Sequence, residues 1–152
     1  MKTLEQPDVK AEIVRRLIAL EPNSPRKWGK MTPHEAICHL TDSLKALTGE
    51  RAMTYPKSSA FQQTIMRWAA LYLPVPWTQG VKTAPETDQK LQGTPPLEFL
   101  QDKAVLLEMI EQTASGQARW INVHPILGQM SEREWQRFEY LHFDHHLRQF
   151  SV

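Results

Sequence analysis

The sequence contains few of the residues and patterns that would place it in a specialised class of protein. Its 152 residues include one cysteine, Cys38, which excludes an internal disulfide and suits a reducing compartment. The 18 basic and 17 acidic residues give a formal net charge of +1, and there is no Lys- or Arg-rich run. We therefore expect no nucleic-acid partner, because proteins that bind nucleic acids carry a basic patch or stripe.

Long apolar runs are also absent from the sequence. The N-terminal segment MKTLEQPDVKAE lacks the apolar core of a signal peptide, and no stretch approaches the ~20 apolar residues of a membrane span. These absences predict a cytoplasmic protein with no membrane partner. The hydrophobic fraction of 41% is sufficient for a packed core, and we expect a single domain over residues 1–152.

Apolar residues recur at helical spacing along most of the chain. This spacing, together with prolines and capping boxes, predicts helices over residues 7–21, 32–48, 59–73, 97–115 and 131–150. The expected capping boxes are Thr32 with Glu35, Ser59 with Gln62, and Ser131 with Glu134. No two segments alternate convincingly at period two, so we expect an all-α fold without a sheet.

Two of these helices have apolar residues that we expect to face the core. In the third helix the stripe consists of Phe61, Ile65, Trp68 and Tyr72. In the fourth helix, opened by Thr94 and Pro95, the inward residues are expected to be Leu97, Leu100, Ala104, Leu107 and Ile110. Between them, residues 74–96 form a long stretch rich in Pro, Thr and Gly. Loops of this length usually cover something or are mobile, and Trp77 is the candidate to cap a pocket.

A shorter irregular stretch precedes the last helix. We expect an extended piece at residues 120–123, followed by a turn at His124 and Pro125.

The last helix carries a pair of histidines at metal-ligand spacing. At 100° per residue, His142 and His146 lie one turn apart on the face that Trp135 and Phe138 direct into the core. This spacing lets two imidazole nitrogens bind one ion, as in the zinc helix H-E-x-x-H. The residues between them are Phe-Asp-His, which lack the protease glutamate, so a metalloprotease is not supported. His145 also faces inward, either as a structural hydrogen-bonding residue or at a pocket rim.

His39 is the third candidate ligand, at the edge of the apolar face of the second helix. A neighbouring helix can present it to the pair on the last helix. Three neutral imidazoles and one vacant position describe an open catalytic site better than a closed structural one. The competing interpretation is that these histidines are buried and hydrogen-bonded without a metal.

Two segments resemble a known family. The sequences WGKMTPHEAICHLTDSL and HPILGQMSEREWQRFEYLHFDHHLRQF resemble the DinB-like superfamily, and more narrowly a bacterial branch of it whose function is unassigned. The resemblance covers the second helix and the last third of the chain. It implies an up-down-down-up four-helix bundle with a long crossover loop, with the helix at 59–73 as an addition, and often a homodimer.

The same resemblance implies a metal site. Members of the superfamily commonly bind nickel or zinc through one histidine on the second helix and an H-x-x-x-H on the last. Carried over to this sequence, the ligands are His39, His142 and His146. Related members include thiol-dependent transferases and isomerases that use bacillithiol, mycothiol or glutathione.

We therefore expect a metal-dependent enzyme, a thiol transferase or hydrolase, that acts on a small molecule. The metal would lower the pKa of a bound water or of a low-molecular-weight thiol. The general base is expected to be Glu139 or His124. Alternatively, Glu139 is a solvated residue, or it orients an imidazole by hydrogen bonding. Asp42 could orient an imidazole in the same way. His124 is alternatively a turn residue.

The rival to the enzyme is a non-enzymatic helical bundle. Its histidines would store or sense metal, or would only form hydrogen bonds in a polar core. Cys38 is rotated away from His39, so we expect no catalytic thiol there, and we expect His34 to be a surface residue.

Overall fold

The computed structural model describes residues 1–54, 58–121 and 123–152, and most of these residues are helical. This mostly helical content confirms the predicted all-α class. The elements in chain order are α1 (Pro7–Ala19), α2 (Pro33–Thr48), α3 (Ala60–Tyr72), a 3-10 turn (Pro85–Thr87), α4 (Phe99–Ala114), β1 (Val123–His124), β2 (Gly128–Gln129) and α5 (Glu132–Gln149). None of the described helices has both the length and the apolar character needed to cross a membrane.

Local capping explains where most helices begin. Thr32, Ser59 and Ser131 each accept a hydrogen bond from the backbone N–H three residues later, and the Glu or Gln there accepts one in return. These capping boxes start α2, α3 and α5 as predicted. The start of α4 differs, because its cap is Glu98, which accepts the N–H of Gln101 at 2.9 Å.

The core lies between α1, α2, α4 and α5. Helix α1 packs against α4 and α5, helix α2 packs against the same two helices, and α3 packs against α5 and β2. The largest fully buried side chains include Ile13, Leu17, Leu44, Leu106 and Phe143. Burying each such side chain contributes roughly 1.5–3 kcal/mol. This packing positions α2 and α5, which carry the candidate site, against each other.

The inward face predicted for α3 is wrong, and that predicted for α4 is only partly correct. The α3 stripe of Phe61, Ile65, Trp68 and Tyr72 is 46–74% exposed, and Leu71 is the buried residue of this helix. Leu97, which precedes α4, and Leu100 are 82% and 69% exposed, whereas Ile110 is buried as predicted. The buried residues of α4 are Phe99, Leu106, Ile110 and Thr113. Helical spacing identifies an apolar face, but the position of the neighbouring elements decides which face is covered.

A small hairpin contradicts the expectation that no sheet forms. Strands β1 and β2 pair antiparallel, with Val123 opposite Gln129 and His124 opposite Gly128. Strands of two residues are too short to produce an alternating pattern, which is why the sequence did not reveal them. Within the predicted extended piece at 120–123, residue 122 lies outside the described residues.

The segment between α3 and α4 is fastened to α2 by a buried carboxylate. Asp42 is fully buried, and its oxygens accept hydrogen bonds from the backbone N–H and the hydroxyl of Thr94, both at 2.7 Å. Arg51 forms an ion pair with the same carboxylate at 2.7 Å. The prediction that Thr94 opens α4 is wrong, because Thr94 binds Asp42 and the helix begins after Glu98. The contacts of Asp42 also hold the 3-10 turn against α2, so that the backbone carbonyl of Thr87 lies beside His39.

Candidate metal centre

The structure brings the three predicted ligands together. His39 comes from α2, and His142 and His146 come from successive turns of α5. Each residue offers one ligand atom, and these atoms all lie within 4.8 Å of one another. The Nε2 atoms of His39 and His142 are 3.0 Å apart. The side chains of His39 and His142 are buried, and that of His146 is partly buried.

The orientation of His39 is set by the segment that Asp42 fastens. The Nδ1–H of His39 donates to the backbone carbonyl of Thr87 at 2.8 Å. A carbonyl can only accept, so the ring proton is on Nδ1 and the lone pair is on Nε2. Burial lowers the pKa of His39, which keeps the ring neutral at pH 7.

His146 is oriented by an amide that is itself held in place. Its Nδ1 lies 3.1 Å from the Oε1 of Gln149, and the Nε2 of Gln149 donates to the carbonyl of Trp28 at 2.8 Å. This second bond identifies Oε1 as the atom that faces His146, so Nδ1 donates and Nε2 is free. Gly29 allows the approach, because a Cβ at this position would be 2.5 Å from the Nε2 of Gln149. Its φ of +77° also favours glycine.

His142 is connected to Glu139 through a hydroxyl. The Nδ1 of His142 lies 3.2 Å from the Oγ of Ser43, which is 3.5 Å from the Oε1 of Glu139. Glu139 is fully buried, so the solvated alternative is wrong. It lies on the Nδ1 side of His142, where it can orient the ring through Ser43. Its role as a general base stays a prediction.

Burial also determines the protonation of Glu139. Burial raises the pKa of this carboxyl to about 8, although the hydrogen bond from Ser43 lowers it. Its Oε2 has no hydrogen-bond partner among the described residues. Glu139 is therefore mainly protonated at pH 7, and a cation bound nearby would favour its charged form.

The three imidazoles form a donor set that fits a divalent metal ion. Burial lowers the pKa of His142 and of His146 well below the usual value, and the neighbouring histidines lower it further. The rings are therefore neutral at pH 7, which metal ligation requires. In known metal sites, the second ring nitrogen of a ligating histidine is usually hydrogen-bonded, as it is here for all three rings. No further Cys, Asp or Glu of the described chain joins this group. A three-nitrogen set leaves a coordination position open.

His124 lies beside the group but is not part of it. Its Nδ1 accepts the backbone N–H groups of Ile126 and Leu127 at 3.0 and 3.1 Å, which closes the turn between β1 and β2. His124 is therefore a turn residue, which was the alternative interpretation of its role. Burial lowers the pKa of His124 to about 4. With Nδ1 accepting, the ring proton is on Nε2, and the predicted role as a general base remains untested.

Aromatic side chains cover the group on one side. The ring of Trp77 lies 6.0 Å from that of His142 and 6.2 Å from that of His145, and its Nε1–H donates to the carbonyl of Ala70 at 2.8 Å. An open cavity of about 670 Å³ lies against this aromatic wall. Its lining includes Trp28, Trp77, Arg137, Tyr140, His145 and Arg148. His145 therefore lies at the rim of a pocket.

Three orienting partners were not assigned from the sequence. Ser43 lies one turn after His39 on α2, and Gln149 lies three residues after His146 on α5, so helical spacing could have identified both. The carbonyl of Thr87 had no such signal, because it is a backbone atom in a segment without periodicity. Asp42 does not contact the imidazole of His39. It acts on that ring by holding the segment that contains Thr87, and its charge opposes the lowering of the His39 pKa by burial.

Comparison with known proteins gives one match. A family model described as "Protein of unknown function (DUF1569)" matches residues 4–152. No curated protein and no solved structure matches the chain. The matched residues include all three histidines, and the description of the family names no activity. The function is therefore argued from the geometry of the site.

Glu139 gives a prediction about stability and pH. In metal-free protein, the folded state keeps the proton of Glu139 while the unfolded chain releases it between about pH 4.5 and 8. Wild type should therefore lose stability relative to Glu139→Gln as the pH rises through this window. At about 1.4 kcal/mol per pKa unit over this window, we expect a difference on the order of 5 kcal/mol. Urea unfolding of both proteins at several pH values, with a chelator present, measures it.

The exposed variant Glu108→Gln is the control and should follow wild type at every pH. If Glu139→Gln and wild type ran parallel from pH 5 to 9, the carboxyl would not be protonated at neutral pH.

Proposed function

We propose that the chain, which belongs to the DUF1569 family of proteins of unknown function, binds a divalent metal ion through His39, His142 and His146. One observation carries this proposal. The ligand atoms of three buried or partly buried imidazoles converge within 4.8 Å, and the Nδ1 atom of each ring lies within hydrogen-bond distance of a different group. Histidines that serve only as packing residues do not need their remaining nitrogens to meet at one point.

The metal is proposed to be nickel or zinc. Neutral imidazole nitrogen suits both ions, whereas magnesium and calcium prefer oxygen ligands. When bound, such an ion supplies Lewis acidity, which lowers the pKa of a water or a thiol. The chain's contribution is to fix the three rings. Thr87 and Gln149 hold the protons of His39 and His146 on Nδ1, and Ser43 offers the same arrangement to His142.

The proposed fold is the up-down-down-up four-helix bundle of the DinB-like superfamily, formed by α1, α2, α4 and α5. Contacts among these helices support it, because α1 and α2 each pack against both α4 and α5. Helix α3 is then the addition that precedes the long crossover. Candidate ligands on the second bundle helix and the last helix are the arrangement that the sequence resemblance implies.

We further propose that the site is catalytic, and that the protein is a thiol transferase or hydrolase for a small molecule. The open cavity beside Trp77 and His145 has room for such a substrate, and these two rings, which line the cavity, separate it from the three ligands. A three-histidine set leaves a coordination position free. A low-molecular-weight thiol is the proposed partner. Glu139 and His124 remain the proposed proton-transfer residues. Since Glu139 lies behind His142, its contribution would pass through Ser43.

A second copy of the chain is the proposed macromolecular partner, and it would bind the outer face of α3. We call this the α3 stripe, formed by Phe61, Ile65, Trp68 and Tyr72. Taking about 150–250 Å² for a whole aromatic side chain, its exposed fractions correspond to about 500 Å² of apolar surface. That is at the upper end of the patches found on monomers, about 300–600 Å².

Charge favours a second copy as the occupant of the α3 stripe. Arg67 is the charged residue of α3, and it forms an ion pair with Glu134 of α5. The stripe itself is therefore uncharged, and two copies can meet without like-charge repulsion. Stable dimers bury about 800 Å² per partner, which the stripe and the polar atoms beside it can supply.

Removing a ligand should reduce metal binding. Compared with wild type purified without an affinity tag and loaded with nickel or zinc, His39→Ala and His142→Ala should each lose about one ion per chain, since three ligands are needed to hold it. Gln149→Ala, which leaves the ligands intact, should weaken affinity by about 10–100-fold. Elemental analysis and a competition titration measure both effects. The control is His145→Ala, which should retain the ion. Unchanged metal content in His39→Ala and His142→Ala would disprove the site.

Catalysis needs a separate measurement. Wild type saturated with nickel, zinc or manganese should turn over thiol–electrophile pairs or activated esters, and His142→Ala should lose at least about 10²-fold in kcat/KM. Product formation followed by mass spectrometry detects either reaction. A protein that binds metal but turns over neither substrate class would support the non-enzymatic bundle and overturn the enzyme proposal.

Self-association predicts a change in mass. Wild type should sediment as a dimer, whereas Phe61→Glu and Trp68→Glu should sediment as monomers because they bury a charge in an apolar contact. Leu91→Glu is the matched control, since Leu91 is 62% exposed and lies outside the α3 stripe. Analytical ultracentrifugation distinguishes these outcomes. A wild type that stays monomeric at high concentration, or that instead floats with lipid vesicles, would refute the proposed partner.

A further inference from the structure

We propose that the chain contains a second metal site, formed by His34, Cys38 and Asp102 between α2 and α4. We call these residues the α2–α4 cluster. Each offers one ligand atom, and the three atoms lie within 4.8 Å of one another. None of them belongs to the three-histidine group. The second site therefore does not depend on the function proposed above.

The geometry arises from two helices. His34 and Cys38 are four residues apart on α2, so that their side chains lie one above the other, as do His142 and His146 on α5. Asp102 is in the first turn of α4, where α4 packs against α2. Its Oδ2 lies 2.7 Å from the Nε2 of His34 and 3.8 Å from the Sγ of Cys38. The nitrogen and the sulfur thus approach the same carboxylate oxygen.

Burial gives the cluster an inner and an outer side. Cys38 is 2% exposed, whereas the side chains of His34 and Asp102 are 21% and 23% exposed. An ion can therefore reach the cluster from solvent and meet the sulfur at its inner end. The thiol of Cys38 donates a hydrogen bond to Asp102 over 3.8 Å, and S–H is a weak donor, so the buried sulfur is only weakly partnered.

The donor atoms indicate which ion would bind. Sulfur, imidazole nitrogen and carboxylate oxygen are all zinc ligands, at about 2.3, 2.0–2.1 and 2.0–2.2 Å. A thiolate selects against magnesium and calcium, which take oxygen ligands. The cluster thus suits zinc, or cobalt(II) as its spectroscopic substitute. It differs from the three-histidine group, which has no sulfur.

Its place in the fold indicates what an ion would do. The ion would join the first turns of α2 and α4, which are already linked by the contact between His34 and Asp102. The ring of Phe99 packs edge-on against that of His34 at 5.3 Å, which restrains the imidazole on its far side. The expected effect is to hold α2 and α4 together, and with three protein ligands the fourth position would be open to water.

Cobalt(II) provides the test, because Cys38 is the only cysteine in the sequence. Any thiolate-to-cobalt charge-transfer band must therefore come from this residue. Wild type should show the band and bind about two cobalt ions per chain, one in each three-ligand group. Cys38→Ser should lose the band and one ion. His142→Ala should lose one ion but keep the band, which separates failure of this proposal from failure of the first site.

Two controls make the result decisive. His34→Gln should weaken the band while leaving Cys38 in place, and circular dichroism should show that both cluster variants are folded. On dilution, the intensity of the band per chain should stay constant, because all three ligands belong to one chain. An ion held between two chains would instead dissociate, and the band per chain would decrease. A folded wild type without the band, or a band unaffected by His34→Gln, would mean that the α2–α4 cluster only links two helices.

Discussion

The buried carboxylate of Asp42 is the contact on which the arrangement around the histidines depends. It accepts two hydrogen bonds from Thr94 and forms an ion pair with Arg51. These contacts hold the segment that follows α3 against α2. The carbonyl of Thr87 is in that segment and receives the Nδ1–H of His39. A buried charge is costly unless it is paired and hydrogen-bonded, and Asp42 is both. One helix therefore provides a candidate ligand and also holds the group that orients it.

In the part of the chain that the structure describes, the polar groups around the three histidines are hydrogen-bonded with one exception, a carboxylate oxygen of Glu139. The Nδ1 atoms of the three imidazoles have partners, but the Oε2 of Glu139 has none among the described residues. Such a group is expensive in a low-dielectric interior. The free-energy cost of burying the Glu139 carboxyl depends on whether it is charged, and its charge depends on whether a cation is present nearby. Metal affinity and the protonation of Glu139 are therefore expected to be linked.

How much could be predicted from the sequence depended on how local each feature is. The capping boxes of α2, α3 and α5 involve residues three apart, and the sequence located them correctly. The pair His142 and His146 is equally local. The covered face of α3 was predicted wrongly, and that of α4 was predicted only in part, because both depend on which elements pack against them.

The surroundings of the candidate site show the same limit. Ser43 and Gln149 lie at helical spacing from a histidine and were within reach of sequence reasoning. The acceptor for His39 is a backbone carbonyl 48 residues away, and no side-chain pattern marks such an atom. In the α2–α4 cluster, the spacing of His34 and Cys38 is visible in the sequence. The third member, Asp102, becomes apparent only when α4 packs against α2.

The division of the histidines between α2 and α5 has a consequence for biosynthesis. His39 and His142 are 103 positions apart, so the ribosome must add α5 after a long intervening segment before their rings can meet. Domains fold as units, and a preformed site rarely exists in an unfolded chain. A nascent chain therefore cannot capture an ion at this centre early in translation. At the proposed centre, metal acquisition would follow the synthesis of α5, and it would depend on the ions that the cell makes available at that moment.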